Sequence, residues 1–225
     1  MPVPVRIPID SAVLSGDLSS PERAPAVVLF AHGSGSSRFS PRNQFVARAL
    51  EERGLATLLV DLLTRDEEAR DRQTAELRFD IGLLAGRLVR IIDWLAEQPA
   101  TASLPVGLFG ASTGGGAALV AAAVRPHRVG AVVSRGGRPD LAGSSLPRVE
   151  APTLLIVGGD DEPVIALNQT AMRHMRAPVK LEIIPGATHL FEEPGTLEQV
   201  ASHAAEWFAG HVVPPQRASV TAHPL

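Results

Sequence analysis

The stretch Val106-Gly107-Leu108-Phe109-Gly110-Ala111-Ser112-Thr113-Gly114-Gly115-Gly116 ends a short apolar run and opens an alanine-rich one. Val106 to Phe109 reads as a buried strand, and Ala117 to Val124 as a helix. Between them lies Gly110-x-Ser112-x-Gly114, a G-x-S-x-G pattern. A nucleophilic serine must project from a sharp, strained turn, where side chains two residues to either side would collide, and this accounts for the glycines. The helix that opens there directs free N–H groups and its positive end toward developing negative charge. Five residues alone recur by chance, and the glycines alone could serve close packing of helix on sheet. The strand before and the helix after make the pattern specific.

The rest of the chain repeats the same strand-then-helix unit. Val3 to Ile9 and Ala12 to Leu18 read as an antiparallel edge pair, since Pro4 and Pro8 are tolerable only at an edge. Ala26 to Ala31 is continuously apolar, as a central strand covered on both faces should be. The small-residue loop His32-Gly33-Ser34-Gly35-Ser36-Ser37 follows. Ser40-Pro41 then opens a helix that stops at Gly54. Leu55 to Val60 is the next strand. Asp61 to Arg72 carries mixed charge and reads as a solvated rim. Apolar residues at Leu77, Ile81, Leu84, Leu88, Ile91 and Leu95 predict one long helix ending at Pro99. Further strands are expected at Val129 to Ser134, Thr153 to Val157 and Val179 to Ile184. Helices are expected at Val164 to Met175 and Leu197 to Gly210. Eight strands in this order predict an α/β fold, a mostly parallel sheet with helices on both faces. Residues 1–211 read as one domain, and 212–225 as a flexible tail.

Composition excludes several classes. The chain has 225 residues, long enough to bury a sizeable core, and a formal net charge of −3. Nothing in that balance calls for nucleic acid or an anionic membrane as partner. It has no cysteine, which removes disulfides, zinc–thiolate sites and a cysteine nucleophile. No apolar run approaches a membrane span, and the N-terminus lacks a basic-then-apolar leader, so a cytoplasmic location is expected. No His/Asp/Glu set has ligand spacing on one element, and no G-K-[ST] follows the glycines, so neither a metal nor a cofactor is expected.

In parallel sheets the functional loops gather beyond the carboxyl ends of the strands. Ser112 lies in one such loop, Gly158-Gly159-Asp160-Asp161-Glu162-Pro163 in a second, and Pro185-Gly186-Ala187-Thr188-His189 in a third. A serine hydroxyl is a weak nucleophile, so a neutral imidazole must take its proton as it attacks. A carboxylate behind the imidazole fixes its tautomer and stabilises the imidazolium. His189 is therefore the expected base. By adjacency, Asp160, Asp161 and Glu162 all compete to orient it. Arg135 and Arg138 follow a strand onto the same side, with Arg38 and Arg42 in reach from the loop after Ser34. They either hold loops and face solvent, or one recognises a substrate carboxylate or phosphate.

These pieces resemble the dienelactone-hydrolase-like branch of the α/β-hydrolase family. The resemblance spans about residues 10 to 211 and rests on His32-Gly33-Ser34, Gly110-Ala-Ser-Thr-Gly114, Val157-Gly-Gly-Asp-Asp-Glu-Pro-Val164 and Gly186-Ala-Thr-His189. The chain is also similar to hydrolase domains fused to phosphoribosyltransferases. The resemblance implies an α/β-hydrolase fold and a Ser…Asp…His order. It selects Asp161 among the acids, and Ser34 and Thr113 as backbone donors to an oxyanion. His32 is then expected to support its loop. Dienelactone hydrolases proper use cysteine, whereas this chain has Ser112. The expected activity is a cofactor-free serine hydrolase acting on a small-molecule ester through an acyl-enzyme. An acyltransferase or thioesterase would use the same residues, and a binding module on the same fold is the third possibility. Fewer than twenty residues separate Ser134 from Thr153, too few for a helical lid domain there.

Overall fold

The computed structural model describes residues 2–10 and 12–212. The edge pair is present: β1 (Val3–Ile9) and β2 (Ala12–Ser19) are antiparallel, with Val3 opposite Leu18 and Ile9 opposite Ala12. Then come β3 (Val27–Ala31), α1 (Pro41–Glu52), β4 (Ala56–Val60), α2 (Arg65–Thr74) and α3 (Ile81–Leu95). They are followed by β5 (Val106–Ala111), α4 (Thr113–Val124), β6 (Val129–Arg135), β7 (Thr153–Gly158), α5 (Glu162–Met172), β8 (Val179–Ile184) and α6 (Thr196–His211). The eight strands form one sheet in the order β1-β2-β4-β3-β5-β6-β7-β8. Neighbours from β4 through β8 run parallel. Strands β3 to β7 are buried along nearly their whole length, the signature of a sheet covered on both faces. This is the α/β-hydrolase fold.

Two apolar layers sandwich the sheet. On one face, Leu88, Ile91, Ile92 and Leu95 of α3 and the alanines of α4 pack on Leu29, Leu58 and Leu108. On the other, Val46, Ala47 and Leu50 of α1 and Val200, Ala204 and Phe208 of α6 pack on Val28, Phe30 and Phe109. Each large side chain fully buried in these layers is worth about 1.5–3 kcal/mol. Val212 belongs to the second layer and packs beside Gly107 and Gly130, so it is not part of a tail. Residues 213–225 of the expected tail lie outside the described residues.

Two helices also depart from the sequence expectation. The charged stretch after Asp61 contains α2, opened by a reciprocal cap: Thr64 Oγ1 accepts from Glu67 N, and Glu67 Oε2 accepts from Thr64 N at 2.8 Å. This helix is pinned inward. Arg87 of α3, buried, donates to both Glu67 oxygens at 2.7 and 2.6 Å. Asp71 is also buried and accepts from Leu77 N and Arg78. The long helix begins later than Leu77. Leu77–Phe79 form a 3₁₀ turn, and Asp80 caps α3 through Leu83 N at 2.9 Å. An apolar stripe records the buried face and is blind to the cap that sets the start.

Candidate active site

The loops at the carboxyl ends of β3, β5, β6, β7 and β8 converge on Ser112. It joins β5 to α4 with φ 51° and ψ −122°, a conformation rare for a residue with a Cβ. The flanking glycines make the turn possible. A Cβ at Gly110 would lie 2.6 Å from Gly114 O, and one at Gly114 would collide with Ala31 O. Ser112 N donates to Arg135 O at 3.2 Å, which ties the turn to the end of β6.

Of the three adjacent acids, Asp161 meets the histidine: its Oδ2 lies 2.6 Å from His189 Nδ1. Asp161 occupies the position before the first turn of α5 but caps nothing with its side chain, so the carboxylate is free for the imidazole. Asp160 and Glu162 are exposed. A carboxylate on Nδ1 holds the ring proton there and leaves Nε2 basic. The histidine loop has an anchor that the sequence did not reveal. Glu193 accepts from Thr188 N at 3.1 Å and from Thr188 Oγ1 at 2.6 Å.

His32 is structural, as expected. Its Nδ1 bonds Gly33 O at 2.9 Å, and its Nε2 accepts from Leu62 N at 3.0 Å. Burial pushes its pKa below the ordinary histidine value, consistent with a neutral ring that locks the loop after β3. In that loop Ser34 N donates to Thr113 Oγ1 at 3.0 Å. The two residues expected to donate to an oxyanion are thus adjacent, but the Ser34 N–H is already engaged by the Thr113 hydroxyl.

The arginines divide. Arg38 is held away from the site by Asp17, at 3.1 Å, and by Asp61. Arg138 forms a two-bonded pair with Asp140 at 2.8 and 2.7 Å. Both are structural, because a nearby carboxylate satisfies them. Arg135 differs. It is 7% exposed, and its Nε and Nη1 are buried without a hydrogen-bond partner. Burial first, then the like charge of Arg42, push its guanidinium down to about 10. Arg135, Arg42, Asn43, Ser36, Ser112 and His189 line one cavity of about 240 Å³. A second cavity of about 330 Å³ shares Gly33, Ser34 and Ser36 and extends toward α2. Arg42 and Asn43 face the site because Ser40, which caps the N-terminus of α1, lines it too.

Among the described residues no lid covers this mouth. Between β6 and β7 the chain forms only the short 3₁₀ segment Pro139–Arg148, broken at Gly143, which packs on α4. Among the described residues no helix is long and apolar enough to cross a membrane.

Several known proteins resemble the chain over most of its length. Two proteins of Mycobacterium tuberculosis, from strains CDC 1551 / Oshkosh and ATCC 25618 / H37Rv, are named putative phosphoribosyl transferases. Each is 60% identical over 202 residues, 90% of this chain and 45% of their own length. The chain therefore spans less than half of these curated relatives. The crystal structure of a dienelactone hydrolase from Anabaena variabilis ATCC 29413 superposes with a TM-score of 0.93 at 60% identity, covering 94% of this chain and 98% of that one. Est1E from Butyrivibrio proteoclasticus, bound to ferulic acid, shares the fold at a TM-score of 0.78 and 18% identity, over 93% of this chain and 100% of its own. The family model for dienelactone hydrolases matches residues 12–210. The chain belongs to the dienelactone hydrolase family.

Proposed function

We propose that the chain is a serine hydrolase that cleaves a compact ester through an acyl-enzyme, with Ser112 as nucleophile, His189 as base and acid, and Asp161 as orienter. The observation that carries this reading is the 2.6 Å contact of Asp161 with His189 Nδ1, in a cavity that His189 shares with the strained Ser112. Ser112 Oγ attacks the acyl carbon as its proton passes to His189 Nε2. The imidazolium, held by Asp161, returns that proton to the departing alcohol oxygen, and the acyl group stays on Ser112. Water then loses a proton to Nε2 and attacks the acyl carbon. The acid leaves as the proton returns to Ser112 Oγ.

The developing oxyanion is received by the Thr113 N–H at the start of α4. The Ser34 N–H supplies a second donor when the substrate oxygen displaces the Thr113 hydroxyl that it meets in the free protein.

The transferase name of the curated relatives belongs to proteins more than twice the length of the shared segment. The family match at residues 12–210 lies within this chain, so the hydrolase reading attaches to it. The test is hydrolysis of short-chain esters by the purified protein and by Ser112→Ala. Turnover that Ser112→Ala abolishes is expected. Equal turnover by both would refute the assignment.

A further inference from the structure

Among the described residues, Arg135 is a charge without a counterion. Removing a guanidinium from water is costly unless hydrogen bonds and an opposite charge replace the solvent. Here Nε and Nη1 of Arg135 and Nε of Arg42 are buried without partners. Arg42 has one carboxylate, Glu192, which meets its Nη1 at 3.0 Å on the exposed rim. Phe191, whose ring centroid lies 5.9 Å from the Arg135 guanidinium carbon, offers only its π face. The N-terminus of α1 opens into the same cavity with no acidic residue in its first turn, which adds positive potential. One acceptor is also orphaned there: Asn43 Oδ1 is buried without a donor.

We propose that Arg135 and Arg42 form a receptor for a phosphate monoester dianion carried by the substrate, so that the hydrolase acts on short acyl esters of small phosphorylated polyols. This rests on the serine-hydrolase reading. A carboxylate presents two coplanar oxygens and one charge, enough for a single guanidinium fork. A phosphate monoester presents three terminal oxygens and about two charges, and can accept from two guanidinium groups at once. A free hydroxyl of the polyol supplies the donor that Asn43 Oδ1 lacks. The cavity is about 240 Å³ and holds both Ser112 and Arg135, so the phosphate and the scissile ester belong to one compact molecule.

The test compares kcat/KM for the acetate esters of glycerol, glyceric acid and glycerol 3-phosphate. The phosphate ester is expected to exceed the neutral one by about tenfold or more, chiefly through KM. In Arg135→Gln, and separately in Arg42→Gln, the ratio of phosphate to neutral ester should fall toward one. Each ratio is taken on a single preparation, so partial misfolding cancels. A wild-type ratio near one, or preference for the glycerate ester over the phosphate, would overturn the proposal. If no ester is turned over and no phosphonate labels Ser112, the hydrolase reading fails separately. Calorimetry with glycerol 3-phosphate then decides the receptor: binding that Arg135→Gln loses upholds it, and no binding by the wild type refutes it.

Discussion

Asp161 Oδ2 and His189 Nδ1 stand 2.6 Å apart, joining the loop after β7 to the loop after β8. Neighbouring Asp160 reaches outward, and only its backbone N–H is engaged, with Ala187 O at 2.9 Å. Asp161→Asn should therefore lower kcat by roughly ten thousandfold, by supporting the wrong tautomer of the imidazole. Asp160→Asn should lower it less than about tenfold, since surface substitutions away from such contacts change little. Steady-state kinetics on the two variants separates them, and a larger loss in Asp160→Asn would contradict the assignment.

Helix α2 should be sensitive to acid. Hydrogen bonds from Arg87 hold the Glu67 carboxyl at about 2, below its ordinary value near 4.5. The folded pKa is the lower one. The stabilisation is therefore fully present above the unfolded value and is lost as pH falls from 4.5 toward 2. Glu67→Gln should destabilise the protein at neutral pH by about 1.5–3 kcal/mol. Urea unfolding across that acid range should show wild type and variant converging. A constant gap would mean that the pair contributes no charge-dependent stability.

Much of this was legible in the sequence because it follows from local chemistry. Alternation, apolar runs and Gly/Pro punctuation predict all eight strands, and G-x-S-x-G requires a strand before it and a helix after it. The choice of Asp161 as the partner of His189 follows from the family resemblance, since nothing local distinguishes Asp161 from Asp160. What was not legible depends on partners far apart in the chain. The charge run of α2 reads as solvent-facing until Arg87, twenty positions beyond Glu67, is placed against it. Arg38, Arg135 and Arg138 look alike in sequence. They differ because Asp17, Asp61 and Asp140 satisfy two of them, and among the described residues no carboxylate reaches the third. The Thr113 hydroxyl on the Ser34 N–H, and Glu193 behind Thr188, likewise appear only once the loops are folded together.

The uncovered mouth should limit the acyl group. Each buried methylene is worth about 0.8 kcal/mol, and a shallow wall soon has none left to bury. In a series of p-nitrophenyl esters, kcat/KM should peak at short chains and decline beyond them. No rate jump should occur when a long-chain substrate passes its solubility limit. A rise out to long chains would show that α2 or another segment serves as a lid.

Covalent attack by Ser112 is the step on which the other proposed roles depend. A fluorophosphonate probe followed by intact-protein and peptide mass spectrometry should show one adduct per chain, located on Ser112. Ser112→Ala should take up no probe while keeping its native circular dichroism. An unlabelled wild type that is folded, or an adduct on another residue that survives Ser112→Ala, would contradict covalent attack by Ser112.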